Sequence, residues 1–140
     1  MDNPQEFPAP EEGFVVTTML IVNDIDRSAD FYVNVMGASE IMRVEDGPAI
    51  LGLANTWLII NVGGGPTDDK PTVTLAPPED PDRASSVLNI RVADIDAVYE
   101  KWSAAGAEFL TPPQHRGPEA RCYLRDPDGY LIEVGMSTQS

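Results

Sequence analysis

Cysteine and histidine are each present once in the 140 residues, as Cys122 and His115. A single cysteine excludes an internal disulfide and a thiolate-based zinc site. Its place between Arg121 and Tyr123, in a β-like run, marks Cys122 as a small packed hydrophobe rather than a nucleophile. Basic residues are scarce: 9 Lys and Arg stand against 23 Asp and Glu, a formal net charge of -14. Nucleic acid and anionic membranes are poor partners for such a chain, because phosphate binding needs a basic face. A cationic small molecule would be drawn to it, although an acidic surface that maintains solubility is the simpler reading. No apolar run reaches transmembrane length, and the N-terminus lacks the basic-then-apolar order of a signal peptide. A cytoplasmic protein is expected.

What is there suits one globular domain, with 42% hydrophobic and 23% charged residues. Residues 1–13 are rich in Pro and Glu with little to bury, and read as a flexible tail. Residues 14–22 read as a strand. Asp24 or Asp26 is then placed to cap a helix whose apolar stripe is Ile25, Ala29, Tyr32, Val35 and Met36, with Gly37 as its stop. Three short strands follow at 40–45, 49–54 and 57–62, separated by turns at Asp46-Gly47-Pro48 and Asn55-Thr56. Residues 63–86 are irregular, with one further strand available at 72–76. Their three glycines invite a phosphate-loop reading, but no Gly-Lys-Ser/Thr follows, and a linker fits better.

A second copy of this order begins at residue 87. A strand at 87–92 leads to a capping Asp94 and a helix striped by Ile95, Val98, Tyr99, Trp102 and Ala105, ended by Gly106. Strands at 107–110, 120–125 and 130–135 complete it. Val22-Asn23-Asp24-Ile25-Asp26 thus corresponds to Val92-Ala93-Asp94-Ile95-Asp96, 70 positions on. Each copy is β-α-β-β-β. A helix covers only one face of such a sheet, so two copies should combine. The last strand leaves the tight turn Asp126-Pro127-Asp128-Gly129 and carries one carboxylate, Glu133, on an otherwise apolar run.

Val22-Asn23-Asp24-Ile25-Asp26-Arg27-Ser28-Ala29-Asp30-Phe31-Tyr32, with Met36-Gly37, resembles the first-module signature of the vicinal oxygen chelate superfamily, which includes glyoxalase I, bleomycin-resistance proteins, fosfomycin-resistance enzymes and extradiol dioxygenases. Asp126-Pro127-Asp128-Gly129-Tyr130-Leu131-Ile132-Glu133 resembles its second-module ending. The resemblance implies an α+β fold: two βαβββ modules forming a cupped mixed β-barrel with the helices outside, in a single domain at 14–136 with module 1 at about 14–62, a linker at 63–86 and module 2 at about 87–136. It also implies a homodimer and a divalent metal held by up to four residues. The matching positions here are Thr17, Asn61, Val87 and Glu133, of which only Glu133 is a ligand type used by the family. One carboxylate with a Thr and an Asn is too little for a tight site, so no metal or other cofactor is expected.

Strand alternation turns Thr17, Met19, Trp57 and Asn61 toward the cup from the first module, and Asn89, Arg91 and Glu133 from the second, with Tyr123 as a further ligand contact. Glu133 is the obvious partner for Arg91. His115 lies in an expected loop and is, with Glu133, the candidate for proton transfer. The function expected is a glyoxalase- or bleomycin-resistance-like protein that binds a small organic molecule without the family metal. The alternatives are a metal-dependent lyase, isomerase or dioxygenase working through Glu133, and a metal-independent acid–base enzyme.

Overall fold

A computed structural model describes residues 2–137; Met1, at the head of the expected tail, lies outside the described residues. The architecture is α+β, with two small sheets and two helices. The chain divides into two compact units, Met1–Pro77 and Pro78–Ser140. The strands of the expected barrel pair within two separate open sheets, one in each unit.

In the first unit the order is β1 (Thr18–Val22), α1 (Ile25–Asn34), β2 (Ser39–Arg43), β3 (Ala49–Leu53) and β4 (Thr56–Val62). The sheet order is β1-β4-β3-β2, with β1 parallel to β4 and the other pairs antiparallel. Asp24 is the cap: its side chain accepts from the Arg27 N–H at 3.1 Å, one of the donors a helix start leaves unpaired. The helix runs out near Gly37, which adopts φ +79°. Cross-strand register places Leu20, Val22, Leu51, Leu58 and Ile60 on one face, all buried, together with Ala29 and Tyr32 of α1. Each such aliphatic side chain contributes roughly 1.5–3 kcal/mol by leaving water. Arg43, at the sheet edge, ties that face to α1 through Asp26 and Asp30 at 3.3 and 3.0 Å.

The β3–β4 turn is Ala54-Asn55, one residue earlier than expected, because Leu53 pairs Thr56 directly. A two-residue turn between twisted strands needs left-handed backbone, and Ala54 sits at φ +53°. Residues 2–13 form no helix or strand, as their composition suggests, yet they are tied to the unit. The Asn3 amide donates to the Gly37 carbonyl at 2.8 Å and to Ser39 Oγ at 3.2 Å. Its carbonyl oxygen accepts the Ala54 N–H at 2.8 Å. The Trp57 indole donates to the Glu6 carbonyl at 2.7 Å. Residues 72–76 form no strand; Leu75 makes only an isolated bridge to Gly64.

In the second unit β5 (Leu88–Arg91), α2 (Ile95–Ala104), β6 (Glu108–Phe109), β7 (Gln114–Arg116), β8 (Glu119–Arg125) and β9 (Leu131–Ser137) follow. β5 is parallel to β9, β9 antiparallel to β8, and β8 carries both β6 and β7 on its far side. Asp94 caps α2 as Asp24 caps α1, accepting from the Ala97 N–H at 3.1 Å. Ala120, Cys122, Leu124, Ile132 and Val134 form the buried face, with Ile95 and Trp102 of α2 also buried. The turn before β9 is built on Asp126, which is 5% exposed. One of its carboxylate oxygens accepts the N–H groups of Asp128 and Tyr130 at 3.0 and 2.9 Å, and Gly129 takes φ +90°.

Candidate functional site

The chemistry of the second unit is on the sheet face opposite the buried one. Alternation along β5, β9 and β8 puts Asn89, Arg91, Glu133, Arg121 and Tyr123 on that side, and register arranges them in two rows. One row is Asn89, Glu133, Tyr123. The next, two residues further along β5 and β9, is Arg91, Gly135, Arg121, Gln114.

In the first row Asn89 Nδ2 donates to one oxygen of Glu133 and the Tyr123 hydroxyl to the other. The carboxylate is gripped from both neighbouring strands. The Tyr123 phenol is held above its ordinary pKa, first by this bond, then by burial and by the Glu133 charge, while Arg121 pulls the other way. In the second row Arg91 does not reach Glu133 as expected. Its guanidinium makes a two-point contact with Glu119 at 3.0 and 3.2 Å. Gly135 makes the route possible: a Cβ there would lie 2.1 Å from Arg91 Nη1. Glu119 is thereby held below the usual carboxylate range, chiefly by its bond to Arg91.

His115 belongs elsewhere. It lies in strand β7 rather than a loop, pairs Ala120 and so shares the α2 side of the sheet. There Nε2 is 3.3 Å from the Asp96 carboxylate in the first turn of α2. His115 and Glu133 are therefore on opposite faces, and the two candidates for proton transfer do not converge.

In the first unit Met19, Trp57 and Asn61 lie on the face away from α1, while Thr17 precedes β1. Met19 is exposed, and Trp57 and Asn61 are half-buried. The Asn61 carbonyl oxygen accepts the Val62 N–H at 2.9 Å, so its best donor to a metal is already engaged. Val87 has no lone pair and precedes β5. Both oxygens of Glu133 are also engaged, and among the described residues no group of three His, Cys, Asp or Glu could hold a metal ion. These donors do not fit the metal that the superfamily implies.

Sequence reasoning missed Glu119, Arg121 and Gln114. The signal was present in β8: counting back by two from Tyr123 reaches Arg121 and then Glu119 on the same face. Gln114 had no such signal, because its strand is only three residues long.

The family model described as Glyoxalase/Bleomycin resistance protein/Dioxygenase superfamily matches residues 15–134. The chain belongs to this superfamily. It is 28% identical to a probable lactoylglutathione lyase of Vibrio parahaemolyticus, across 91% of this chain and 94% of that one. It is 28% identical to the metallothiol transferase FosB of Shouchella clausii, across 84% of this chain and 75% of that one. Its fold is similar to a variant of the fosfomycin resistance protein FosX from Listeria monocytogenes, solved in complex with Mn(II) and 1S,2S-dihydroxypropylphosphonic acid. That likeness has a TM-score of 0.65 at 21% identity and covers 90% of each chain.

Proposed function

We propose that this superfamily member binds a small organic molecule on the Asn89–Glu133–Tyr123 face of its second module, without the metal of its relatives. The observation that carries the reading is the state of Glu133. The one carboxylate at a family ligand position is clasped by Asn89 and Tyr123, an arrangement that turns a metal donor into an acceptor within a polar cluster. Around it the strand supplies Leu131 as apolar surface, so the face combines a few converging polar groups with hydrophobic area, as small-molecule sites do.

The test is elemental analysis of the full chain after incubation with Mn, Fe, Ni and Zn and removal of free ions. Metal well below one equivalent is expected, and unchanged in Glu133→Ala. Stoichiometric metal that Glu133→Ala abolishes would overturn the proposal and return the chain to the metal-dependent enzymes. A second reading, metal-independent acid–base chemistry, is favoured by the hydrogen bonds from Asn89 and Tyr123, which hold the Glu133 carboxylate in one orientation for use as a base. It predicts turnover that is indifferent to chelator and lost in Glu133→Gln.

A further inference from the structure

The net charge of -14 points toward cationic ligands, but the charge is not evenly spread. Four of the nine basic residues, Arg91, Arg116, Arg121 and Arg125, project from the same face of the second sheet, because each shares its register with a residue on the side of Glu133. Two are already neutralised. Arg91 has its two-point contact with Glu119, and Arg125 binds Asp82 and the Pro81 carbonyl, each at 2.6 Å. The other two are not. Arg116 donates to the neutral amide oxygen of Gln114 at 2.5 Å. The Arg121 guanidinium makes no hydrogen bond or ion pair among the described residues; its charge acts on Glu119 and Tyr123 only through space.

These two arginines border a single depression of about 240 Å³, with Leu110, Thr111, Gln114, Cys122 and Tyr123 making up the rest of its wall. Its volume is below the roughly 300–1,000 Å³ of sites that hold drug-sized ligands, so its occupant is small. Its composition is two cationic forks, an amide, two hydroxyls and one aliphatic side, Leu110, which is 52% exposed. An unpartnered guanidinium matches carboxylate and phosphonate oxygens in the plane of its N–H groups, which an ammonium ligand could not exploit.

Building on the reading of this face as the ligand site, we propose that the molecule bound is a small organic anion, a carboxylate or phosphonate with a compact apolar group, held by Arg121 and Arg116 with its apolar part against Leu110. The acidic remainder of the protein repels anions, which favours their capture at this depression over the rest of the surface.

The experiment is titration calorimetry of the full chain with three probes of similar size, phenylphosphonate, phenyltrimethylammonium and benzyl alcohol. Phenylphosphonate is expected to bind saturably and more tightly than the other two, and to weaken as sodium chloride is added. Arg121→Gln should weaken it about tenfold to a hundredfold, the range for a lost charge-assisted contact, and Arg121→Lys by less. Lys101→Gln, on α2, should change nothing. Equal or tighter binding of the cationic or neutral probe, or full affinity in Arg121→Gln, overturns the anion proposal while leaving a ligand-binding face in place. Absence of binding by all three overturns both.

Discussion

Single side chains in this protein owe their chemistry to which face of a strand they occupy. Cys122 and Tyr123 are neighbours in β8, yet one faces the packed side and the other the polar row. Cys122 is 2% exposed, and burial, helped by the charge of Asp96, pushes its thiol up to about 11. The thiolate is the reactive form, so the native thiol should be inert to a disulfide reagent at about pH 8, where a free cysteine of ordinary pKa reacts readily. The same reagent should react fully once the chain is unfolded in denaturant. Fast reaction of the native protein at that pH would show that Cys122 is not buried in solution. Glu133 and Glu119 make the same point for carboxylates: each is defined by the donors opposite it, Asn89 and Tyr123 for the first, Arg91 for the second.

At the scale of elements, the N-terminal segment is the part whose behaviour its composition conceals. Proline and glutamate leave it without helix or strand, but Asn3 joins the β3–β4 turn at Ala54 to the stretch after α1 at Gly37 and Ser39. The fit extends to Gly52, where a Cβ would lie 2.1 Å from the Pro4 carbonyl. Gly52 pairs Trp57, whose indole is bound to Glu6, so the segment crosses the face of the first sheet that α1 leaves open. Asn3→Ala should lower unfolding free energy by roughly 1–2 kcal/mol, because three partly exposed hydrogen bonds are worth less than buried ones. Urea unfolding measures it. Tryptophan emission should shift to the red in parallel, since the other tryptophan, Trp102, is buried and distant in sequence on α2. Unchanged stability and emission would mean that the segment does not hold in solution.

The molecule as a whole carries 23 acidic against 9 basic residues, and this imbalance should dominate its response to salt. Raising ionic strength from about 0.01 to 0.15 M shortens the Debye length from roughly 30 to 8 Å. Repulsion among the acids is then screened, at the expense of ion pairs such as Arg43 with Asp30 and Arg91 with Glu119. Exposed pairs contribute little each, so relief of repulsion wins and the melting temperature should rise by a few degrees. A fall on adding salt would show that the arginine pairs matter more to stability than the net charge.

The order of elements could be read from the chain alone because it depends on short-range chemistry. Asp24 and Asp94 cap, Gly37 and Gly106 stop, and Asp126-Pro127-Asp128-Gly129 turns, each through contacts with its immediate neighbours. The 70-residue repeat then implied two similar modules, and alternation placed Asn89, Arg91 and Glu133 on one face of a strand pair. Pairing across strands could not be read in this way. Arg91 stands two residues from Asn89 along β5 and can pair any acid within reach; the glycine at 135 and the position of Glu119 on β8 direct it away from Glu133. His115 is in a strand rather than the expected loop because three residues beside Pro112 and Pro113 join β8 as a strand too short to leave a pattern. Local rules act through the backbone over a few residues, whereas the partners of Glu133, Arg91 and His115 are set by register between segments distant in sequence, which only the tertiary structure decided.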